Sequence, residues 1–398
     1  MKKVISIVVA LTILLSIALP VSAGALDKIS GLKQTGASSS SVEVSWNRYT
    51  GADKYKVQYS DSANGTYKDE TSYNTDGTEA IYSLFRGTTY YVRVTPYVSG
   101  GWLNAAATTV QVDTAPDSVE NLKQKSCTES SATFTWTASS GATAYNIYKY
   151  TDSTETYVGQ SKTTSYTLKG LSNKKDIPFS YIHVRPVRKT ASYAAEGYYT
   201  SLYSYNIKLK PASPKAPKLN NYYSSSGNIY LEGPEAKFKN GYQFKIYNAS
   251  GKKTVETLNN TCFSSDLKKG RAYKVRARVY TILNNAKIYG KWSKYTYFTT
   301  GVDDLRVTSK TKTSVRIAWK KIKGAKVKYN IYVSKNYKSG LKKFKKNLGK
   351  NACKVTKYGK KRLKKSTYYY FYVFAKIKVG KKYKTSPVFS YVTSYTSF

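Results

Sequence analysis

The 398-residue sequence predicts an all-β chain, a tandem array of four antiparallel β-sandwich domains. Three observations carry that prediction. The first is a repeat: Leu32-Lys33-Gln34, Trp46, Tyr55-Lys56-Val57 and Val92-Arg93-Val94-Thr95-Pro96 recur ninety residues later as Leu122-Lys123-Gln124, Trp136, Tyr145-Asn146-Ile147 and Ile182-His183-Val184-Arg185-Pro186. Leu305, Trp319 and Tyr329-Asn330-Ile331-Tyr332 are a further copy, and fourteen residues separate Leu from Trp in all three. That period is too long for a solenoid, so each copy is a complete domain. The second observation is composition: 41 Tyr against one Met, with abundant Thr, Ser and Val. These residues suit pleated, half-buried surfaces, and no apolar run keeps helical spacing over three turns. The third is short alternating segments separated by Gly- and Asn-rich turns, the pattern of a sandwich.

Residues 1–23 read as a signal peptide. Lys2-Lys3 precede an apolar run from Val4 to Leu19, and Pro20-Val21-Ser22-Ala23 places small residues at a cleavage point. The run is too short to favour a membrane span, so a secreted chain beginning near Gly24 without a transmembrane anchor is expected. No Cys follows the run and Ser394-Tyr395-Thr396-Ser397-Phe398 shows no sorting motif, so neither a lipid nor a covalent wall anchor is expected. Roughly 375 residues remain, enough for four domains that each bury a core.

Domain 1 (24–115) carries alternating segments at Val42 to Trp46, Lys54 to Ser60, Ala80 to Leu84, Tyr90 to Val98 and Thr108 to Val112. Trp46 on the second strand, Tyr55-Lys56-Val57 on the third, and Leu84-Phe85-Arg86-Gly87-Thr88-Thr89-Tyr90-Tyr91-Val92-Arg93-Val94 resemble a fibronectin type III domain, an immunoglobulin-like sandwich. The resemblance implies that Tyr90 makes a tyrosine corner, its hydroxyl tied to nearby backbone. Domain 2 (116–211) keeps Trp136 and Tyr145. Phe179 or Ser180 stands where the corner Tyr would be, so no such bond is expected there. Lys210 to Pro217 is the plainest linker.

Domain 3 (212–300) diverges at its start, where Ile229-Tyr230-Leu231 replaces the Trp strand. It recovers the pattern through Leu267 to Arg276, and Tyr289-Gly290-Lys291-Trp292-Ser293 resembles the last hairpin of these domains in secreted proteins of Gram-positive anaerobes. Domain 4 (301–398) has Trp319, Tyr329 and Leu363 to Val373. Its run Tyr368-Tyr369-Tyr370-Phe371-Tyr372 leaves the register open by one residue, and a slip would flip every side chain.

Net charge climbs along the array: −1 for 24–115, +5 for 116–211, +12 for 212–300 and +26 for 301–398, where 28 basic residues face two acidic ones. A module so charged stays strongly hydrated or sits against a polyanion. On the first reading lysines decorate outward positions and block edge pairing. On the second, Lys342, Lys343, Lys345, Lys346, Lys360, Lys361, Arg362, Lys364 and Lys365 contact an anionic cell-wall polymer or polysaccharide. Nucleic acid fits electrostatically but is disfavoured by the secretion signal and by the lack of a recognised binding motif.

No enzyme is expected, and no cofactor. His183 is the one histidine and aligns with Arg93 between inward residues, so alternation points it at solvent. Ser-His and His-metal arrangements are therefore unavailable. Carboxylates concentrate in domain 1 on turns and outward positions. Cys127, Cys262 and Cys353 fall one per domain, so no domain closes its own disulfide; Cys262 and Cys353 are expected as small buried hydrophobes. Two aromatic pairs are candidates for stacking on a glycan, Tyr97 with Trp102 and Tyr289 with Trp292, each on a last-hairpin turn. The alternative is that each Trp folds onto its own hairpin. The expected function is a secreted, non-enzymatic cell-surface or matrix-binding protein of adhesion type, its basic C-terminal repeats bound to an anionic wall polymer or glycan. Other surface proteins are further candidate partners. A structural spacer, or a carbohydrate-binding module using the loop aromatics such as Trp102 and the Tyr-rich faces, are the rival classes.

Overall fold

The computed structural model describes residues 26–70, 75–189, 193–220, 229–251, 253–260, 263–264 and 267–397. The expected signal peptide and Cys262 lie outside them. The described residues are all-β, with two short 3-10 turns and no α-helix. Four times along the chain a three-stranded sheet is followed by a four- or five-stranded one, giving a tandem array of immunoglobulin-like sandwiches.

By packing, the chain divides into two compact units. The first comprises residues up to Ser118 with Ala138–Tyr145 and Arg185–Tyr199. Its sandwich sets Lys33–Ala37, Val42–Ser45 and Thr78–Ile81 against Lys68–Asp69, Ala52–Ser60 and Thr89–Val98, with a return strand split into Gly101–Trp102 and Thr108–Asp113. Alternation decides what fills it: Val42 and Val44 face Val57, Val92 and Val94, and all five are fully buried. Trp46 meets Tyr55 edge to face at 5.3 Å, a pairing worth about 1 kcal/mol beyond its area. The segment expected to run to Leu84 ends as a strand at Ile81. Ser83 takes a left-handed φ of 56°, which breaks the ladder and turns Leu84 into the core, its N–H bonded to Ser40 O.

Within this first unit, Asp113 is buried and salt-bridged to Arg188. The guanidinium forks three ways: Nε to Asp113 Oδ1 (2.8 Å), Nη1 to Gly141 O (2.9 Å) and Nη2 to Thr89 Oγ1 (2.7 Å). Gly87 and Gly141, at φ of 58° and 74°, bring their backbones together there; a Cβ on Gly141 would lie 2.0 Å from Gly87 O. Glycine is required on steric and dihedral grounds alike.

The second unit holds the remaining strands. Glu120–Cys127, Ala132–Thr137 and Ser165–Leu168 form the first sheet of repeat two. In repeat three Leu231 takes the place of the Trp and is fully buried, while Tyr242, paired with Val279 as Tyr55 is with Pro96, holds the Tyr position half-buried. Repeat four packs Trp319 on Tyr329 at 5.2 Å. The stretch read as a linker is partly packed: Pro211, Pro214 and Pro217 are buried, and Ser213 Oγ donates to Trp292 O. Proline has no N–H to leave unsatisfied, which lets a non-repetitive segment be covered at little cost. Further along, Thr299 N donates to Ser386 Oγ (2.9 Å) and Val302 N to Ser390 Oγ (2.9 Å), so the last strand seals the junction between repeats three and four.

The repeated motifs acquire physical roles. Gln34 grips Asp113 through both amide atoms, donating to its O and accepting from its N; Gln124 does the same with Lys208. Gln34 thus joins the first strand of its repeat to the last, and Gln124 joins its first strand to the extended segment after the 3-10 turn Ser204–Asn206. The corner tyrosines accept from a backbone N–H five residues earlier: Tyr90 from Phe85 (2.9 Å), Tyr273 from Lys268 (3.0 Å) and Tyr369 from Lys364 (3.1 Å). In repeat two Phe179 fills the position and is buried. The register of repeat four is thereby settled, with Tyr369, Phe371 and Val373 inside.

Candidate functional site

The lysines singled out in the sequence come to adjoining positions. Lys342, Lys343, Lys345 and Lys346 are exposed on the edge strand Lys342–Leu348 of the second sheet of repeat four. The hairpin Lys357–Tyr358 with Lys361–Arg362 lies beside it: Tyr358 Oη donates to Gly340 O at 3.0 Å, and a Cβ on Gly359 would stand 3.8 Å from Lys342 Cγ. Lys360, Lys361 and Arg362 are exposed there, and Lys364 and Lys365 are exposed at the corner, where Tyr369 meets Tyr358 at 6.2 Å. Next-but-one positions on a strand are about 7 Å apart, inside the screening length of about 10 Å at 0.1 M salt. The cluster therefore acts as one cationic surface at low ionic strength. With two carboxylates among 301–398, one of them paired with Arg306, the module cannot neutralise itself.

The loop aromatics lie differently in the two repeats. Tyr97 and Trp102 are cross-strand partners, edge to face at 4.9 Å. Lys54 Nζ lies 4.7 Å from the Tyr97 ring and Lys56 Nζ 5.3 Å from that of Trp102. In repeat three the Arg278 guanidinium lies 3.6 Å from the Tyr289 ring and 4.6 Å from that of Trp292, and Arg276 also stands 4.6 Å from Trp292. Burial lowers the Arg278 pKa, with Tyr289 opposing the shift and Arg276 adding to it. Ser293 locks this ladder in place. Its N–H donates to Ala277 O at 2.7 Å and its Oγ accepts from Ala277 N at 2.9 Å. Cations thus occupy ring faces in both repeats.

His183 departs from expectation: it is buried, not solvent-facing. It does point away from the core, as alternation requires, but side chains from elsewhere close over it. Nδ1 lies 2.8 Å from Glu155 Oε1, and the ring stacks on Tyr150 at 5.3 Å and meets Tyr181 at 5.8 Å. Among the described residues no group of three or more His, Cys, Asp or Glu side chains could hold a metal ion. Cys127 and Cys353 are free and half-buried, and burial raises both thiol pKa values. No helix of the described residues is long and apolar enough to cross a membrane.

Sequence reasoning named Tyr-rich faces but could not place the non-core side of the second sheet in repeat four, where Tyr372 is fully buried and Tyr370 and Phe374 are half-buried. Tyr368, Tyr370, Tyr372 and Phe374 alternate with the core residues along Tyr368–Val379. The last strand sets Tyr395, Tyr391 and Phe389 opposite Tyr368, Tyr372 and Phe374. Alternation within the tyrosine run was the available signal, but the open register hid which set faced out.

A fibronectin type III domain is found at residues 300–391. Among solved structures, the chicken CNTN1 FN1–FN3 domains are 16% identical, with 68% of this chain and 98% of that chain covered at a TM-score of 0.29. A two-domain fibronectin type III segment of chicken tenascin is 18% identical, with 44% and 99% covered at a TM-score of 0.23. No curated protein matches the chain.

Proposed function

We propose that this is a secreted, non-enzymatic binding protein of four modules (24–115, 116–211, 212–300 and 301–398) whose basic C-terminal repeats hold an anionic cell-wall polymer or glycan of a Gram-positive surface. A sandwich array of this kind is consistent with a cell-surface or structural, adhesion-type role. The observation that carries the reading is the 28 to 2 excess of basic residues in 301–398, with Lys342–Lys346 and Lys360–Arg362 on adjoining surfaces. Many weak contacts along one polymer multiply into avidity. The near-neutral first repeat is left for other surface proteins.

A structural spacer is the second reading. The Arg188 fork and the Ser386 and Ser390 bonds favour it, because they stiffen junctions between repeats. Glycan stacking on Tyr97, Trp102, Tyr289 or Trp292 would have to displace the cations beside those rings.

Co-sedimentation with purified Gram-positive cell walls separates the readings, using the chain and a version lacking 301–398 at about 50 and 500 mM salt. Pelleting of the longer chain alone, and only at low salt, supports the charge anchor. If both stay soluble throughout, wall binding is wrong and the spacer stands.

A further inference from the structure

We propose that the solvent face of the second sheet in repeat four binds an acidic polysaccharide, whose sugar rings lie on the tyrosines and whose carboxylates meet the flanking lysines. This rests on the polyanion reading above and specifies its ligand and its surface.

The second sheet carries aromatic rings outside the core in every repeat, but what lies against those rings differs. In repeat one Lys54 lies over Tyr97, and Arg93 over Tyr67 at 3.6 Å. In repeat two Tyr150, Tyr181, Tyr203 and Tyr205 meet ring to ring beside few cations. In repeat three Arg276 and Arg278 lie against the rings. In repeat four ring meets ring and lysines flank the strip. Tyr332 contacts Phe374 at 5.1 Å, Phe374 contacts Phe389 at 4.8 Å, and Phe389 contacts Tyr372 at 5.3 Å. Tyr391 joins Tyr372 at 5.6 Å and Tyr337 at 5.3 Å, while Tyr368 and Tyr395 close the far end at 4.8 Å. From Tyr368 to Phe374 the strip runs about 20 Å at the usual rise of a strand.

The cations stand at its margins. Lys343 Nζ lies 5.4 Å from the Tyr332 ring on the edge strand, and Lys338 Nζ lies 5.0 Å from Tyr337. The face itself positions Lys338, because Tyr372 Oη accepts the Lys338 N–H at 2.7 Å. Tyr337, Tyr368 and Tyr395 remain 43, 36 and 57% exposed. Tyr372 at the centre of the strip is fully buried. The reachable part is therefore the rim, in which Tyr370 links Tyr368 (5.3 Å) to Tyr337 (6.0 Å), and an exposed aromatic rim marks an interaction site.

The occupant follows from the two chemistries together. Lysines alone would hold a polyanion without rings, and the aromatic strip would add nothing. Sugar rings present flat C–H faces that pack on aromatic rings, and their hydroxyls suit the tyrosine rim. A second copy of the chain is excluded by repulsion between modules of net charge +26. Single-stranded nucleic acid also combines stacking with charge, so the test separates it.

Binding of full-length protein to polygalacturonate, polyphosphate and single-stranded DNA is measured at about 50 and 500 mM salt. It is compared with the variant carrying Tyr337→Ser, Tyr368→Ser and Tyr395→Ser. All three positions are partly exposed, and circular dichroism checks that the fold persists. We expect polygalacturonate binding to weaken at high salt, as the charge reading requires, and at low salt to weaken roughly tenfold in the variant. Polyphosphate should bind at low salt only, indifferent to the tyrosines. If polygalacturonate behaves like polyphosphate, the assignment of this face is overturned while the charge reading stands. If neither polymer binds at low salt, both fall. DNA binding as tight as polygalacturonate, with the same tyrosine dependence, would overturn the polysaccharide in favour of nucleic acid.

Discussion

At the corner of repeat four one hydroxyl can be removed with little else disturbed. Tyr369→Phe leaves the Lys364 N–H without its acceptor, and the cost should be about 1–2 kcal/mol in urea unfolding. Repeat two already shows how a fold loses this bond, since Phe179 sits there buried and no hydroxyl is asked for. The thiols give a pH prediction of definite sign. Burial raises the Cys353 pKa, so the fold favours the neutral thiol. Its contribution is complete below the ordinary thiol range and is lost as pH rises through the raised value. Maleimide labelling of Cys353 in the folded chain should therefore reach its midpoint at a higher pH than in the denatured chain; an equal or lower midpoint would contradict this. His183 shows the limit of residue-by-residue reading. Alternation assigned its face correctly and puts Tyr181 beside it on the same strand, but the cover of Tyr150 and Glu155 comes from other segments, which no local pattern announces.

Among elements, the most exacting is the Arg188 fork. Arg188→Ala strands the buried Asp113 carboxylate and should cost about 3 kcal/mol, read as a lowered denaturant midpoint. Lysine should rescue little, because a single ammonium cannot span Asp113, Gly141 and Thr89 at once. In repeat three, Arg278→Ala removes the guanidinium beside Tyr289 and Trp292. A loss of about 1 kcal/mol is expected, with Trp292 emission moving to the red as the ring meets water. Much at this scale was legible. The Leu-to-Trp spacing and period-two alternation place the core strands, because both are set by neighbours along the chain. The same spacing could have fixed the open register: Phe85 to Tyr90 and Lys268 to Tyr273 are each five residues, and Lys364 to Tyr369 matches them. The placement of the aromatic face was not legible. Its partners Tyr332, Phe389 and Tyr391 are brought to Tyr372 and Phe374 by long-range pairing, which sequence alternation leaves free to slide.

For the whole molecule the governing quantity is the charge gradient, from −1 in 24–115 to +26 in 301–398. It was read from the sequence in full, because charge is additive and needs no geometry. The structure adds adjacency, setting the Lys342–Lys346 strand beside the Lys360–Arg362 turn. That adjacency makes the central claim measurable. If these residues hold a polymer, log affinity falls linearly with log salt, with a slope set by the number of contacts. The decisive measurement is that slope for the chain on immobilised anionic cell-wall polymer, with and without Lys342→Gln, Lys343→Gln, Lys345→Gln and Lys346→Gln. It is compared with a control that changes Lys320, Lys321, Lys323 and Lys326 to Gln. We predict a clearly shallower slope and weaker binding for the first set, with a smaller change for the second. Equal slopes for both sets would mean that only net charge matters, and would contradict a localised anchor on this strand and its neighbouring turn.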